Sequence, residues 1–401
     1  MIQKEINIAL SEVNPSEETN NSFIQLILLD PNFKKVINTP EYFLQNEIKF
    51  IYLYTFKDYY KVREVQPNLP PTVLEAVRLG FCKVVFNYLL EGDINLDYDY
   101  NKFIEFGKVN GLNKYSFIFF HGNYSLENID NPYVTFKGNL YFEHTCWFNY
   151  FSRGWQEDVE RVKNTSLEWY NYQKECTKTK YINCLNRVPR VHRNLLFSLL
   201  YTDQNIIDNS IVSFGGINLL EDKVPSHHLG DHEYLSTVGS FVDFLAKYGK
   251  EYTDGLEVDA KMDINHAVSI NLNFYNDTYI TLTTETLAEE GQLFFSEKTF
   301  KPISVGHPFI HLGGKGSLAK LKEFGYKTFD NWWDESYDSI HDWRDRVQAV
   351  QRLTSKICAM EGSTVKSMVD EMEEVVLHNI DNYYNNNRLY EYLDELHFLV
   401  K

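Results

Sequence analysis

The sequence predicts an α/β protein made of two Rossmann-like domains with helices at the C-terminus. Three observations carry this. First, apolar and aromatic runs of strand length, such as Lys49 to Phe56 (KFIYLYTF) and Phe81 to Leu90 (FCKVVFNYLL), are continuous rather than alternating, the pattern of strands covered on both faces in a parallel sheet. Second, helical or irregular stretches separate these runs, so strand and crossover alternate through the N-terminal part and again from Lys180 onward. Third, the pattern then turns wholly helical. Ile340, Trp343, Val347, Val350, Leu353 and Ile357 recur at three and four, as do Val365, Met368, Val369, Met372, Val376 and Ile380.

Size and composition bound the reading. At 401 residues, and about 150 residues per domain, two domains fit the pattern: an N-terminal domain over 1–170, a second domain over 171–375, and a closing helical segment over 376–401. With 43% hydrophobic residues and no apolar run near the roughly 18 to 20 residues that span a bilayer, a soluble protein is expected. The N-terminus MIQKEINIALSEVN lacks the basic and apolar regions of a signal peptide, which predicts a cytoplasmic location. The five cysteines, Cys82, Cys146, Cys176, Cys184 and Cys358, are scattered without a C-x-x-C, and read as buried small apolar residues rather than disulfides or metal ligands. The net charge of −17 argues against a broad electrostatic grip on nucleic acid, while leaving room for a local basic cleft. The wealth of Asn, Lys, Ile, Tyr and Phe suits an AT-rich genome, viral or bacterial.

Within residues 1–47 the features are an apolar run at Phe23 to Leu29 and a turn at Asp30-Pro31. The strand Lys49 to Phe56 follows, then a helix over Thr72 to Leu79 with Val73, Leu74 and Val77 on one face and Gly80 where a C-terminal cap glycine belongs. Strands come next at Phe81 to Leu90, Tyr115 to Phe120 and Val134 to Phe142. Ligands of open parallel sheets sit at the strand C-termini, which marks Glu91, Asp93, His121, Glu143 and His144. Gly154 to Thr179, highly charged, reads as a helix and linker with the domain boundary near 170. A second alternating unit then runs through the strand Lys180 to Leu185, the turn Asn186 to Arg193 (NRVPRVHR), the helix Leu195 to Tyr201 and the strand Ser210 to Phe214. The helix Tyr234 to Lys247, the strand Tyr279 to Thr284 and the helix Ser317 to Phe324 follow, and a last helix, Leu389 to Leu399, closes the chain.

The stretch Thr283 to Gly314 (TTETLAEEGQLFFSEKTFKPISVGHPFIHLGG) concentrates the chemistry. Glu285 ends a strand, Ser296-Glu297-Lys298 starts a helix, Lys301 lies three residues on from Lys298, and Pro302 restricts the helix just beyond. A carboxylate beside lysines and free helix N–H groups suits a sugar joined to a phosphate. In NRVPRVHR, Arg187, Arg190 and Arg193 pass from a strand end into a helix, an arrangement suited to bidentate contacts with a diphosphate. The bland alternatives are a solvated basic turn and a helix cap with a first-turn acid. Asp97-Tyr98-Asp99 is formally a D-x-D in a tyrosine-rich loop, and His227, His228, Asp231 and His232 read as a surface loop without a second ligand pair. Gly313-Gly314-Lys315-Gly316 reads as a strand-to-helix turn, and no G-x-x-x-x-G-K-S/T, G-x-S-x-G or H-E-x-x-H is present.

This stretch resembles the C-terminal donor-binding motif of fucosyltransferase-like glycosyltransferases. It resembles still more a group of viral and bacterial glycosyltransferases with EKTFKPI, GHPFI, GFKTF-like and NRxPRxHR segments, here Glu297 to Ile303, Gly306 to Ile310, Gly325 to Phe329 (GYKTF) and Asn186 to Arg193. The resemblance spans roughly residues 180 to 345. It implies the GT-B architecture, two Rossmann-like domains facing across a cleft. Glu285 and Glu297 would accept from donor sugar or ribose hydroxyls, and Lys298 would hold the donor phosphates.

The expected reaction moves a sugar from a nucleotide diphosphate to an acceptor hydroxyl. Positive charge at Arg187, Arg190, Arg193, Lys298 and Lys301 would stabilise the leaving diphosphate without a metal. No cofactor is expected beyond the nucleotide-diphosphate sugar, which is the donor substrate. An inverting reaction needs a base, with Asp93, Glu91 and His121 the candidates at strand ends; a retaining one does not. The acceptor is either a cell-surface glycan or a hydroxymethylated pyrimidine in phage DNA, flipped from the duplex. The rival classes are an epimerase or hydrolase using the same donor, and a non-catalytic carbohydrate-binding protein with Trp332 and Trp333 as a stacking platform.

Overall fold

Every strand pair in the described residues is parallel, as continuous apolar strands require. The structure, a computed structural model, describes residues 4–10, 33–54, 69–88, 96–128, 130–138, 159–186, 190–214, 270–289 and 291–385. They fall into two units, one within Met1–Tyr141 and one within Phe142–Asn385.

In the first unit β1 (Lys4–Leu10), β2 (Phe33–Ile37), β3 (Phe50–Tyr54), β4 (Cys82–Tyr88), β5 (Phe117–His121) and β6 (Val134–Gly138) form one sheet in the order β2-β1-β3-β4-β5-β6. The helices are α1 (Pro40–Gln45), α2 (Pro71–Arg78) and α3 (Leu96–Val109). Thr39 caps α1 by accepting from Tyr42 N at 3.2 Å, and Pro71 opens α2, where a missing N–H costs nothing. The aromatic richness is spent on the core. Phe86 lies 5.5 Å from Phe117 and 5.8 Å from Phe119, and Phe43 stacks on Phe50 at 5.1 Å. Strand β5 starts later than its apolar run because Tyr115 takes φ 53°, a left-handed turn that cannot continue a ladder. Asp97 and Asp99 fall at the start of α3.

The second unit opens with α4 (Val159–Glu175), followed by β7 (Ile182–Asn186), α5 (Val191–Leu200), α6 (Gln204–Asn209) and β8 (Ser210–Phe214). Then come α7 (Asn273–Asp277), β9 (Ile280–Thr284), α8 (Glu297–Ser304), β10 (Phe309–Leu312) and α9 (Ser317–Glu323). The C-terminal helices are α10 (Trp343–Cys358), α11 (Gly362–Glu371) and α12 (Glu373–Asn385). The sheet order is β10-β9-β7-β8. The chain therefore leaves β7 to one side for β8 and crosses to the other side for β9.

Helix α4, within the stretch read from sequence as a helix and linker, packs inside this unit. Gln173 Nε2 donates to Val305 O (2.7 Å) and Gly306 O (3.1 Å), and Ser166 Oγ donates to Ser304 O at 2.5 Å. The partner segment is the end of α8, which closes in a Schellman turn: Gly306 N donates to Ile303 O (3.2 Å) and His307 N to Pro302 O (2.8 Å). Gly306 takes φ 68°, and a Cβ there would lie 2.7 Å from the Tyr170 ring. The expected helices at Tyr234 to Lys247 and Leu389 to Leu399, and the run Phe23 to Leu29, lie outside the described residues.

The Gly313-Gly314 turn is a matter of space. A Cβ on Gly314 would sit 1.5 Å from the carbonyl oxygen of Gln292, so the loop after β9 lies where a side chain would be. Arg346 of α10, 1% exposed, ties the same two loops by donating from Nε to Gly313 O (3.0 Å) and from Nη2 to Ala288 O (2.5 Å). Asp338 accepts from Leu318 N (3.0 Å) and Ala319 N (3.2 Å), filling the N-terminus of α9 with a carboxylate. Gly314→Ala should therefore cost about 3 kcal/mol or more, lowering the unfolding midpoint by roughly 10 °C. Lys315→Ala, at the exposed neighbour, should leave it nearly unchanged, and equal midpoints for the two variants in thermal unfolding by circular dichroism would contradict the packing described.

Candidate functional site

Strands β7 and β9 are neighbours at the point where the second sheet reverses its order, the place where open α/β sheets leave a crevice beyond the strand C-termini. Their last residues are joined side by side, Thr284 Oγ1 donating to Asn186 Oδ1. Helix α5 starts after β7, with Arg190 as its exposed N-cap residue, and α8 starts after β9 and its loop, with Ser296 as its N-cap.

Glu285 connects these pieces. It is 0% exposed and follows β9 directly. Its carboxylate is engaged on both oxygens: Oε1 accepts from Ser296 N (3.0 Å) and from the Thr299 hydroxyl, and Oε2 accepts from Thr286 N at 3.2 Å. Its main-chain oxygen accepts from Arg193 Nη2 and His192 Nε2, both at 2.9 Å, and Arg193 Nη2 also donates to Thr284 O at 2.8 Å. One residue thus holds the start of α5 with its backbone and the start of α8 with its side chain. Arg193, in the first turn of α5, is 1% exposed. Burial pushes its guanidinium down to about 10, while Glu285 and Glu297 nearby favour the charged form.

A more accessible layer lies over this buried one. Lys298 Nζ donates to Glu297 Oε1 at 2.8 Å and reaches Ser296 Oγ (3.3 Å) and Thr286 Oγ1 (3.4 Å). The side chains of Lys298 and Glu297 are 23% and 14% exposed. Burial alone would raise the Glu297 carboxyl, but the charges of Lys298 and Lys301 and a hydrogen bond from Lys298 bring it down to about 2. Lys301 is itself buried. Glu289, its carboxylate 3.5 Å from His192 Nδ1, is treated alike: burial would raise it, and His192 and backbone hydrogen bonds bring it to about 2.

The residues singled out from sequence separate accordingly. Arg190, Arg193, Glu285, Glu297, Lys298 and Lys301 gather at the ends of β7 and β9. Arg187, Asp93, Glu91, Glu143, His144, His227, His228, Asp231 and His232 lie outside the described residues. His121 ends β5 in the first unit, 0% exposed, with Nδ1 accepting from Asn123 N at 2.8 Å. Burial lowers it to about 3, so the ring is enclosed and neutral. Trp333 is 5% exposed and packs on Phe329 at 5.3 Å, while Trp332 Nε1 donates to Glu371 at 3.3 Å. Trp333 is core, so the two tryptophans do not form an open stacking platform.

Sequence reading missed Asn186, His192, Thr299 and Arg346. The first two stand within NRVPRVHR, and His192 was legible there as a polar neighbour of the arginines. Thr299 follows Lys298 by one and turns inward to Glu285. Arg346 sits between Trp343 and Val347 on the buried stripe of α10, and that position was its signal.

Neither a known protein family nor a curated protein matches the sequence. Among solved structures the chain is similar to a crystal structure of an α1,3-fucosyltransferase, at 11% identity and a TM-score of 0.41, over 97% of this chain and 92% of that one. Among the described residues no helix is long and apolar enough to cross a membrane.

The two lowered carboxyls set a pH window. Their folded values of about 2 lie below the ordinary 4.5, so on acidification the unfolded chain takes up protons first. Their stabilisation is fully present above about pH 4.5 and is lost as pH falls toward 2. The unfolding midpoint should drop through that window, and Glu297→Gln should flatten part of the drop; an unchanged pH profile in the variant would contradict the ion pairing at α8.

Proposed function

We propose that this chain is a glycosyltransferase that moves a sugar from a nucleotide diphosphate to an acceptor hydroxyl, with the donor held at the C-terminal ends of β7 and β9. The observation that supports this most is the double linkage at Glu285. It sets the arginine-bearing start of α5 and the Glu297-Lys298 start of α8 side by side at the order reversal of a parallel sheet.

In this reading the buried and accessible layers have different work. Arg193 and Glu285 position the two helix starts and carry no ligand. Arg190, Arg187 and Lys298 supply positive charge to the diphosphate, Lys301 adds its field from within, and Glu297, held ionised, accepts from sugar or ribose hydroxyls. As the bond from the anomeric carbon to the phosphate oxygen breaks, its electrons pass to the diphosphate, whose growing negative charge these cations stabilise. The acceptor oxygen forms the new bond to the anomeric carbon and gives up its proton. For an inverting course the proposed base is Asp93 or Glu91, which follow the strand β4 in sequence.

A thermal-shift series with UDP-, GDP- and TDP-sugars should find one donor that raises the unfolding midpoint, since a ligand binding only the folded state stabilises it. With that donor, Lys298→Ala and Arg190→Ala should each reduce transfer about 100-fold or more, Arg190→Ala with little change in midpoint and Lys298→Ala with a modest fall from the lost pairing with Glu297. Arg193→Ala should lower the midpoint itself. Unchanged transfer in both Lys298→Ala and Arg190→Ala would overturn the site, and donor consumption without any acceptor would favour a hydrolase or epimerase.

A further inference from the structure

At the edge of the first sheet where β4 and β5 begin, two turns are stapled together. One leads from α2 into β4 and carries Leu79, and the other leads from α3 into β5 and carries Tyr115. Arg78 Nε donates to Asn110 O at 2.7 Å, and Asn113 Nδ2 donates to Val77 O (3.0 Å) and Arg78 O (2.8 Å). Lys83 Nζ donates to Tyr115 O at 2.5 Å, and Tyr115 N donates to Pro132 O at 2.9 Å. These bonds hold Tyr115 at φ 53°, a conformation uncommon outside glycine.

The joined turns expose apolar side chains. Val109, the last residue of α3, is 78% exposed, Leu79 58% and Tyr115 49%. One exposed apolar residue needs no explanation, but three gathered on two linked turns do. Charge singles out the same edge. Lys49, Arg78, Lys83, Lys108 and Lys114 stand there against Glu47 and Asp130, in a chain whose net charge is −17. Arg78, Lys108 and Lys114 are exposed and make no ion pair among the described residues. In the second unit, by contrast, Lys163, Lys174, Lys322, Lys327 and Lys366 are each ion-paired. Glu75 and Glu105 stand one turn back along α2 and α3. The C-termini of these helices bring partial negative charge to the edge, but Arg78 and Asn113 donate to carbonyls at those ends, so the full charges of the lysines prevail.

We propose that this edge docks on an anionic phospholipid bilayer, with Val109, Leu79 and Tyr115 entering the headgroup layer and Arg78, Lys108 and Lys114 lying against lipid phosphates. Aliphatic side chains and a tyrosine flanked by cations have the composition of a membrane-interface anchor. Three apolar side chains on turn tips fall short of a stable protein interface, which takes roughly 20 to 30 residues a side. The acidic remainder of the chain is repelled by such a surface, which turns this edge toward it. Docking here leaves the strand C-termini of the first sheet, at the other edge, clear. The inference goes beyond the glycosyltransferase reading and stands without it.

The test is flotation of the full chain with vesicles of equal parts phosphatidylcholine and phosphatidylglycerol, and with vesicles of phosphatidylcholine alone. The anionic vesicles should bind, and the neutral ones at least about tenfold more weakly. Each cation at an anionic surface strengthens binding about fivefold, so Lys108→Gln with Lys114→Gln should weaken it about 25-fold. Leu79→Ser with Val109→Ser should weaken it about tenfold. Lys327→Gln with Lys366→Gln, the same change of net charge on the second unit, should leave it unchanged. These side chains are exposed, so all three double variants should keep their unfolding midpoints by circular dichroism. The proposal is overturned if the anionic vesicles do not bind, if the neutral ones bind as tightly, if either double variant at the edge binds undiminished, or if the second-unit variant weakens binding as much. Binding of polyaspartate by fluorescence anisotropy, with none to the vesicles, would overturn it in favour of an acidic protein partner.

Discussion

The buried carboxylate of Glu285 is the constraint on which the second unit's functional end depends. An ionised carboxyl taken out of water is tolerated only where hydrogen-bond donors and opposite charge replace the solvent. Here two main-chain N–H groups and a hydroxyl surround it, and the guanidinium of Arg193 lies against the same residue's backbone. Arg193 faces the converse problem, since a buried cation also needs acceptors, and the carbonyls of Thr284 and Glu285 provide them. Each charge makes the burial of the other less costly. The consequence is geometric: two helix N-termini, each with a partial positive charge, are held beside adjacent strand ends.

The rest of the second unit serves that geometry. Arg346 and the side-chain-free Gly314 let the loop after β9 lie against the turn after β10. The Schellman turn at Gly306 ends α8 and lets α4 close over it through Ser166, Tyr170 and Gln173. With Asp338 occupying the start of α9, the N-termini left for an anion at this edge are those of α5 and α8 among the described residues.

Parallel sheets were legible in sequence because a strand covered on both faces must be apolar without interruption, as in KFIYLYTF. Strand ends were less so, since an apolar residue such as Tyr115 can stand in a turn. NRVPRVHR and SEKTFK were legible as cationic segments bound for helix starts, but which members face inward was not. Arg190 and Arg193 differ by three residues and look alike in the sequence, yet one is exposed and the other enclosed. Local pattern does not reveal a partner such as the Thr284 carbonyl, 91 residues away. The packing of helix α4 was hidden for a different reason. Its buried stripe is Val162, Ser166, Tyr170 and Gln173, spaced for one helical face but holding a single aliphatic side chain, so a count of apolar residues passes over it.

The claim beneath the whole reading is that the starts of α5 and α8 are mechanically one object, joined through Glu285. Native-state hydrogen exchange of the amides of residues 191–194 and 296–299, compared between the unsubstituted protein and Glu285→Ala, tests this most directly. The linkage predicts that both segments lose protection together when the carboxylate is removed, although no side-chain contact to α5 has been deleted. Loss of protection confined to residues 296–299, or to neither segment, would contradict it.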